Sequence, residues 1–306
     1  MKKVYAIFRG IFAVVGILAV AAVLFFLFTP KYEFNFNKTD IAFCSARVDS
    51  LRSSGPYAAD TNDFSIRIIQ DSVRAKEIKD YFQLDTLYSA DASTWEKTLA
   101  IGKYVATNIP HDNQLEWPEN VNAIGLWEYT KTVAPAFNCR LHSILTFELL
   151  LAADIQAKYI TCLPQDENDN DCHVVNEVWL PELGKWVMID TDMGGHYVTD
   201  RDGNLLSLKE MREHYIAGEG MIMYEDLEKP IRKPDWYYSY MAKNTYWFSC
   251  WGELSYYQED RNNTDVEVVR DHYFHLVPSG FKPFMVGDGE TVTTNSEQFW
   301  AAPNEL

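Results

Sequence analysis

The chain has 306 residues, 47% of them hydrophobic and 23% charged, which fits a packed core and excludes a disordered polymer. The formal net charge is −17, and the first 29 residues carry Lys2, Lys3 and Arg9 but no acid, so the body is more acidic still. That field excludes nucleic acid as a partner and repels anionic surfaces; its plainest role is to keep a secreted body soluble.

In chain order, residues 11–28 form an unbroken apolar run. At about 1.5 Å per residue it nearly spans a bilayer core. The basic residues ahead of it hold the amino end in the cytoplasm. Thr29-Pro30-Lys31-Tyr32 has no small-residue cleavage site, and no cysteine is there to take a lipid. Residues 1–30 are therefore expected to be an uncleaved signal anchor and transmembrane helix, with everything after them outside the cytoplasm, periplasmic or extracellular.

Residues 31–92 read as an N-terminal extension of the globular domain, marked only by the turn cluster Ser53-Ser54-Gly55-Pro56. Ser93 and Glu96 have capping-box spacing. Trp95, Leu99, Gly102, Ala106 and Ile109 follow at helical intervals, predicting a helix over 94–107. Residues 110–136 read as a loop with a helical piece near 124–130. A second helix starts at Cys139 and runs to about 153; apolar residues wrap much of its circumference, so it should be buried. Strands are predicted over 158–162, 173–180 and 185–190, the last two joined by a hairpin loop at 181–184. A turn at 200–204 and a short helix at 208–215 close a core unit spanning 93–215. Residues 216–306 should pack on it as a strand-rich extension. Within that extension, residues 236–257 hold ten aromatic side chains but also Lys243 and Glu253, which suits core and cleft lining and not a membrane span.

The chemistry concentrates in three places. Period two puts His173, Val175, Glu177 and Trp179 on one strand face, and Trp186, Met188 and Asp190 on one face of the next. With a four-residue loop, Leu180 pairs with Lys185 and Val175 with Asp190, so His173 and Asp190 become diagonal neighbours on a shared face. Such neighbours lie roughly 7–8 Å apart at the backbone, close enough for imidazole and carboxylate to meet. Cys139 opens a buried helix, whose unpaired N–H groups and partial positive charge stabilise a thiolate. Its own N–H is a candidate donor to an oxyanion. A thiol, an imidazole to activate it and a carboxylate to orient the ring make a nucleophilic site.

Asn138-Cys139-Arg140, His173-Val174-Val175-Asn176-Glu177-Val178-Trp179 and Gly184-Lys185-Trp186-Val187-Met188-Ile189-Asp190 resemble, in order and spacing, the three signature blocks of transglutaminase-like proteins. The spacing is 34 residues from Cys to His and 17 from His to Asp. The likeness covers residues 93–200, about a third of the chain. Asn138 stands where members more often carry glycine or an aromatic residue, and Val175 also departs from the usual pattern. The resemblance implies an α+β, papain-like core in which the helix carrying the Cys packs on an antiparallel sheet carrying His and Asp. It also implies acyl transfer through a Cys139 thioester, with His173 as base and acid and Asp190 as orienter. No cofactor and no metal are expected.

The substrate class is a peptide, protein or peptidoglycan-type amide. Hydrolysis, as a protease or amidase, is favoured by analogy with bacterial members. A protein-crosslinking transglutaminase and a catalytically silent surface scaffold are the alternatives. Gln114, Trp117 and Trp127 are candidates for a second oxyanion donor. His142 reads as structural or surface. The five cysteines leave at least one without an intramolecular partner, and Cys139 is the expected free thiol; Cys162 and Cys172 flank an acidic loop and could pair. Asp166, Asn168, Asn170 and Glu177 fall at calcium-loop spacing, but Asp171 sits where that motif needs glycine, so a solvated loop rimming the cleft is preferred. Cys172 and His173 point to opposite strand faces, which counts against a shared zinc.

Overall fold

The computed structural model describes Gly16 and residues 38–231, 236–260 and 273–303. The apolar run at 11–28 lies outside the described residues; among those described, no helix is long and apolar enough to cross a membrane. By its contacts the chain divides into residues 1–46 and residues 47–306, and apart from the first turns of the first helix the features below belong to the second unit.

Nine strands form one sheet among the described residues, in the order β11-β10-β8-β2-β3-β4-β5-β6-β7. These are β2 (Ala157–Leu163), β3 (His173–Leu180), β4 (Lys185–Asp190), β5 (His196–Asp200), β6 (Met221–Glu225), β7 (Lys229–Ile231), β8 (Trp247–Trp251), β10 (Tyr273–Leu276) and β11 (Thr291–Thr293). A separate parallel pair joins β1 (Arg67–Ile68) to β9 (Glu253–Leu254). The helices are α1 (Lys38–Ser53), α2 (Ser72–Phe82), α3 (Thr94–Asn108), α4 (Ala123–Thr132), α5 (Cys139–Ala152), α6 (Leu208–Ala217), α7 (Trp236–Asn244) and α8 (Ser296–Phe299).

The architecture is mixed α+β. The centre of the sheet, β2-β3-β4, is antiparallel as expected, whereas β10 and β11 pair in parallel. The segment after residue 216 is strand-rich but is not simply laid on the core. Its β8 pairs directly with β2, and its β6 with β5, so it extends the sheet on both sides.

The local signals act as anticipated. Ser93 and Glu96 form a capping box that opens α3. Gly102, in the middle of α3, lets the helix approach the sheet closely: an added Cβ would stand 2.8 Å from Ile189 Cδ1. The β3–β4 register is the predicted one, with Leu180 opposite Lys185 and Asn176 opposite Ile189. Helix α5 is buried along nearly its whole length, from Leu141 to Ala152. Two bonds lock it to the sheet one and two turns beyond Cys139. Ser143 Oγ donates to the Val174 carbonyl at 2.8 Å, and the Thr146 and Thr191 hydroxyls meet at 2.7 Å. Val174 follows His173 and Thr191 follows Asp190, so these locks fix the thiol end of the helix against both.

Candidate active site

Cys139 is the first residue of α5. Asn138 caps the helix from an extended backbone, φ −81° and ψ 173°, and its side chain accepts the Leu141 N–H at 3.1 Å. Gln114 braces the approach: its Oε1 accepts the Asn138 N–H at 3.0 Å and its Nε2 donates to the Ala136 carbonyl at 2.8 Å. Both ends of its amide are engaged with the segment that presents the thiol, so Gln114 positions that segment. Trp127 packs between Phe82 and Tyr104, and Trp117 lines a separate groove with Glu116, Glu119 and Tyr129. Among the described residues, neither indole N–H makes a hydrogen bond at the site.

His173 and Asp190 are both fully buried, and Nε2 of the ring lies 2.6 Å from Asp190 Oδ2. The same oxygen accepts the Tyr237 hydroxyl at 2.8 Å, and Oδ1 accepts the Asp192 N–H at 2.9 Å. Asp190 thus both orients a ring and caps a turn. Burial works against charge on His173, but the Asp190 carboxylate and the nearby Cys139 outweigh it and hold the imidazole pKa well above its ordinary value. Burial likewise opposes the Asp190 charge, and the His173 ring beside it wins, holding the carboxyl below the usual range. The other ring nitrogen, Nδ1, is buried without a hydrogen-bond partner.

Cys139 Sγ, a His173 ring nitrogen and an Asp192 carboxylate oxygen lie within 4.8 Å of one another. Since Nε2 is engaged by Asp190, Nδ1 is the nitrogen left to serve the thiol. Thiol, imidazole and carboxylate could also hold a soft divalent ion. This set uses Cys139 in place of Cys172, so the argument against a Cys172–His173 pair does not bear on it.

Asp192 and His111 were not singled out by the sequence. Asp192 is fully buried; His111 Nδ1 meets both of its oxygens at 2.9 Å, and His142 Nδ1 stands 3.2 Å from one of them. His142 is buried and structural, its Nε2 facing the Ile109 carbonyl at 3.0 Å. The turn holding both aspartates is made possible by Gly194 and Gly195, at φ +93° and +92°. Asp190-Thr191-Asp192-Met193-Gly194-Gly195 was a usable turn signal. Nothing periodic, however, places His111 beside it. That proximity comes from a bridge between His111 and Phe137 and the paired bonds of residues 110–112 with Phe137.

Helix α7 roofs the site. Tyr240 stacks edge-on to the His173 ring at 5.2 Å, and its hydroxyl meets Asp171 at 3.1 Å. Lys243 Nζ binds Asp169 and Asp171, both at 3.0 Å, and the Asp171 carbonyl at 2.7 Å. The acidic loop is therefore tied down by a lysine, and its calcium-like spacing is spent on these bonds and on local turns. Cys162 and Cys172 are both thiols, with pKa values raised chiefly by burial.

Residues 82–191 match the family model described as the transglutaminase-like superfamily core. The segment carrying Cys139, His173 and Asp190 is thus a transglutaminase-like domain. A solved structure from Cytophaga hutchinsonii, titled a "putative cysteine protease", aligns at 16% identity and a TM-score of 0.32, over 51% of this chain and 49% of that one. The chain thus spans about half the length of that protein. No curated protein matches. The family match and the clustered thiol, imidazole and carboxylates fit a cysteine-type enzyme.

Proposed function

We propose that the protein is an extracytoplasmic cysteine amidohydrolase, anchored by residues 1–30, that cleaves an amide through a Cys139 thioester. The observation that supports it most is the buried His173, held by Asp190 through Nε2 with Nδ1 left unpartnered near the thiol. In the first half-reaction Cys139 sulfur attacks the substrate carbonyl while the His173 ring holds the thiol proton. The tetrahedral oxyanion is met by the Cys139 N–H at the start of α5. His173 then protonates the leaving amine, and the C–N bond breaks. Asp190 keeps the ring oriented and stabilises its charge until that proton is given up. Water resolves the thioester. Peptides, proteins and peptidoglycan-type amides remain the substrate class, and no cofactor is invoked.

The test is the alkylation rate of Cys139 by iodoacetamide against pH, read by mass spectrometry on the full chain in detergent. Fast labelling at pH 6, slowed tenfold or more in His173→Ala, is the expected outcome. Labelling that rises only near the ordinary thiol pKa of ~8.5, unchanged by the substitution, would reject the activated pair and leave a silent scaffold.

A further inference from the structure

His173 is fully buried, wrapped by Asp190, Tyr237 and Tyr240. A second imidazole is bound to the carboxylate that stands beside the same thiol, and it is not enclosed. The His111 side chain is 35% exposed, and its Nδ1 is clamped between the two oxygens of Asp192. A carboxylate only accepts hydrogen bonds, so in the neutral ring Nδ1 carries the proton and Nε2 the lone pair. Among the described residues Nε2 has no hydrogen-bond partner. Asp192 in turn places an oxygen within 4.8 Å of both Cys139 Sγ and a His173 nitrogen. Its backbone N–H is bound by Asp190, so one turn serves both rings. His111 is equally well fixed: the Asp112 N–H donates to the Phe137 carbonyl at 2.9 Å, two residues before Cys139, and the Phe137 N–H to the Pro110 carbonyl at 3.0 Å.

We propose that His111 is a second catalytic base, which with Asp192 activates the water or amine that resolves the Cys139 thioester. This rests on the thioester reading above and divides the labour within it. His173 and Asp190 serve formation of the acyl-enzyme, inside the protein. His111 and Asp192 serve its breakdown, from the side open to solvent. As the incoming oxygen or nitrogen attacks the thioester carbonyl, its proton passes to His111 Nε2. The C–S bond then breaks, and the sulfur leaves as thiolate beside His173. The proton on His111 then returns through solvent to His173, which had given its own to the first leaving amine, so the thiolate–imidazolium pair is restored as the acid, or the new amide when an amine is the acceptor, departs.

The probe is p-nitrophenyl acetate, which needs no knowledge of the natural substrate. Cys139 sulfur takes the acetyl group and p-nitrophenolate leaves, giving a burst that counts acylated sites; the later steady rate reports hydrolysis of acetyl-Cys139. His111→Asn keeps a donor nitrogen near the Nδ1 position for Asp192 and removes Nε2. Its burst should match the wild type in amplitude, which also shows that the site is folded. Its steady rate should fall about a hundredfold, within the range for loss of a general base, and mass spectrometry should find acetyl-Cys139 persisting. In His111→Ala, added imidazole should restore the steady rate, because the position is open to solvent. A wild-type burst with an unchanged steady rate in His111→Asn overturns the second base while leaving the thioester reading intact. No burst in the wild type, with hydrolysis unaffected by Cys139→Ser, overturns both.

Discussion

Asp190 bears three bonds on two oxygens, and its charge matters more than its shape. Oδ2 holds His173 Nε2 and the Tyr237 hydroxyl, while Oδ1 holds the Asp192 N–H. Asp190→Asn keeps an acceptor but removes the negative charge that sustains a protonated His173. The p-nitrophenyl acetate burst rate should fall on the order of 10³-fold or more, as when a triad carboxylate is neutralised. Tyr237→Phe removes one donor to a charged acceptor and should slow the burst only about tenfold. Equal losses in the two variants would place the weight on Tyr237 packing instead. The same pair governs stability. A raised His173 pKa contributes stability that is complete below the unfolded value of about 6.5 and is lost as pH climbs through the folded value. A lowered Asp190 pKa contributes above about 3.9 and is lost as pH falls. Urea unfolding of wild type and His173→Ala should therefore differ most between about pH 4 and 6.5, with the gap narrowing on both sides.

At the scale of elements, the site depends on how α5 is seated. Asn138 caps it and Ser143 bolts it to β3. Asn138→Ala should cost about 1 kcal/mol of stability. Ser143→Ala should cost a similar amount, about 1 kcal/mol, by leaving the Val174 carbonyl without its donor. Both should also slow Cys139 alkylation, because they act on the end of the helix that carries the thiol; a thermal shift with no change in alkylation would mean the thiol is held by Gln114 alone. These elements were largely legible in the sequence. The capping box at Ser93, the period-two strands and the four-residue hairpin loop set α3, β3, β4 and their register through local chemistry. What could not be read were contacts closed by distant chain. His111 meets Asp192 across 81 residues, and Tyr237 reaches Asp190 across 47. The aromatic stretch after 236 announced burial but not that one part would roof His173 as α7 while the next paired with β2 as β8. Helix α1 has low amphipathic contrast, which is why its pattern gave no clear reading.

At the scale of the whole molecule, the transglutaminase-like segment is completed by chain outside it, and Glu148 marks one seam. This α5 residue is fully buried; its Oε2 accepts the Ala123 N–H at the start of α4, at 2.9 Å, and its Oε1 accepts the Tyr257 N–H beyond β9, at 2.8 Å. Arg74 of α2 stands 4.0 Å away. Burial dominates these favourable contacts and pushes the Glu148 pKa up to about 7. An unfolded chain returns the group to the ordinary range of about 4.3. Between those values the folded state holds a proton that the unfolded state has released, so stability falls as pH rises toward about 7 and levels off above it. The contribution is on the order of 3 kcal/mol across that window. Glu148→Gln cannot ionise, so its unfolding free energy should decline less steeply from pH 5 to 7 than that of the wild type, whatever its absolute stability. The comparison is of slopes, measured by urea titration at several pH values with both proteins at one ionic strength. Parallel slopes would mean that Arg74 and the two backbone donors keep the carboxylate charged throughout. The seam between α5, α4 and the chain beyond β9 would then be an ionic joint. A shallower slope in the variant would make it a protonated joint, one that loosens as the surroundings turn neutral.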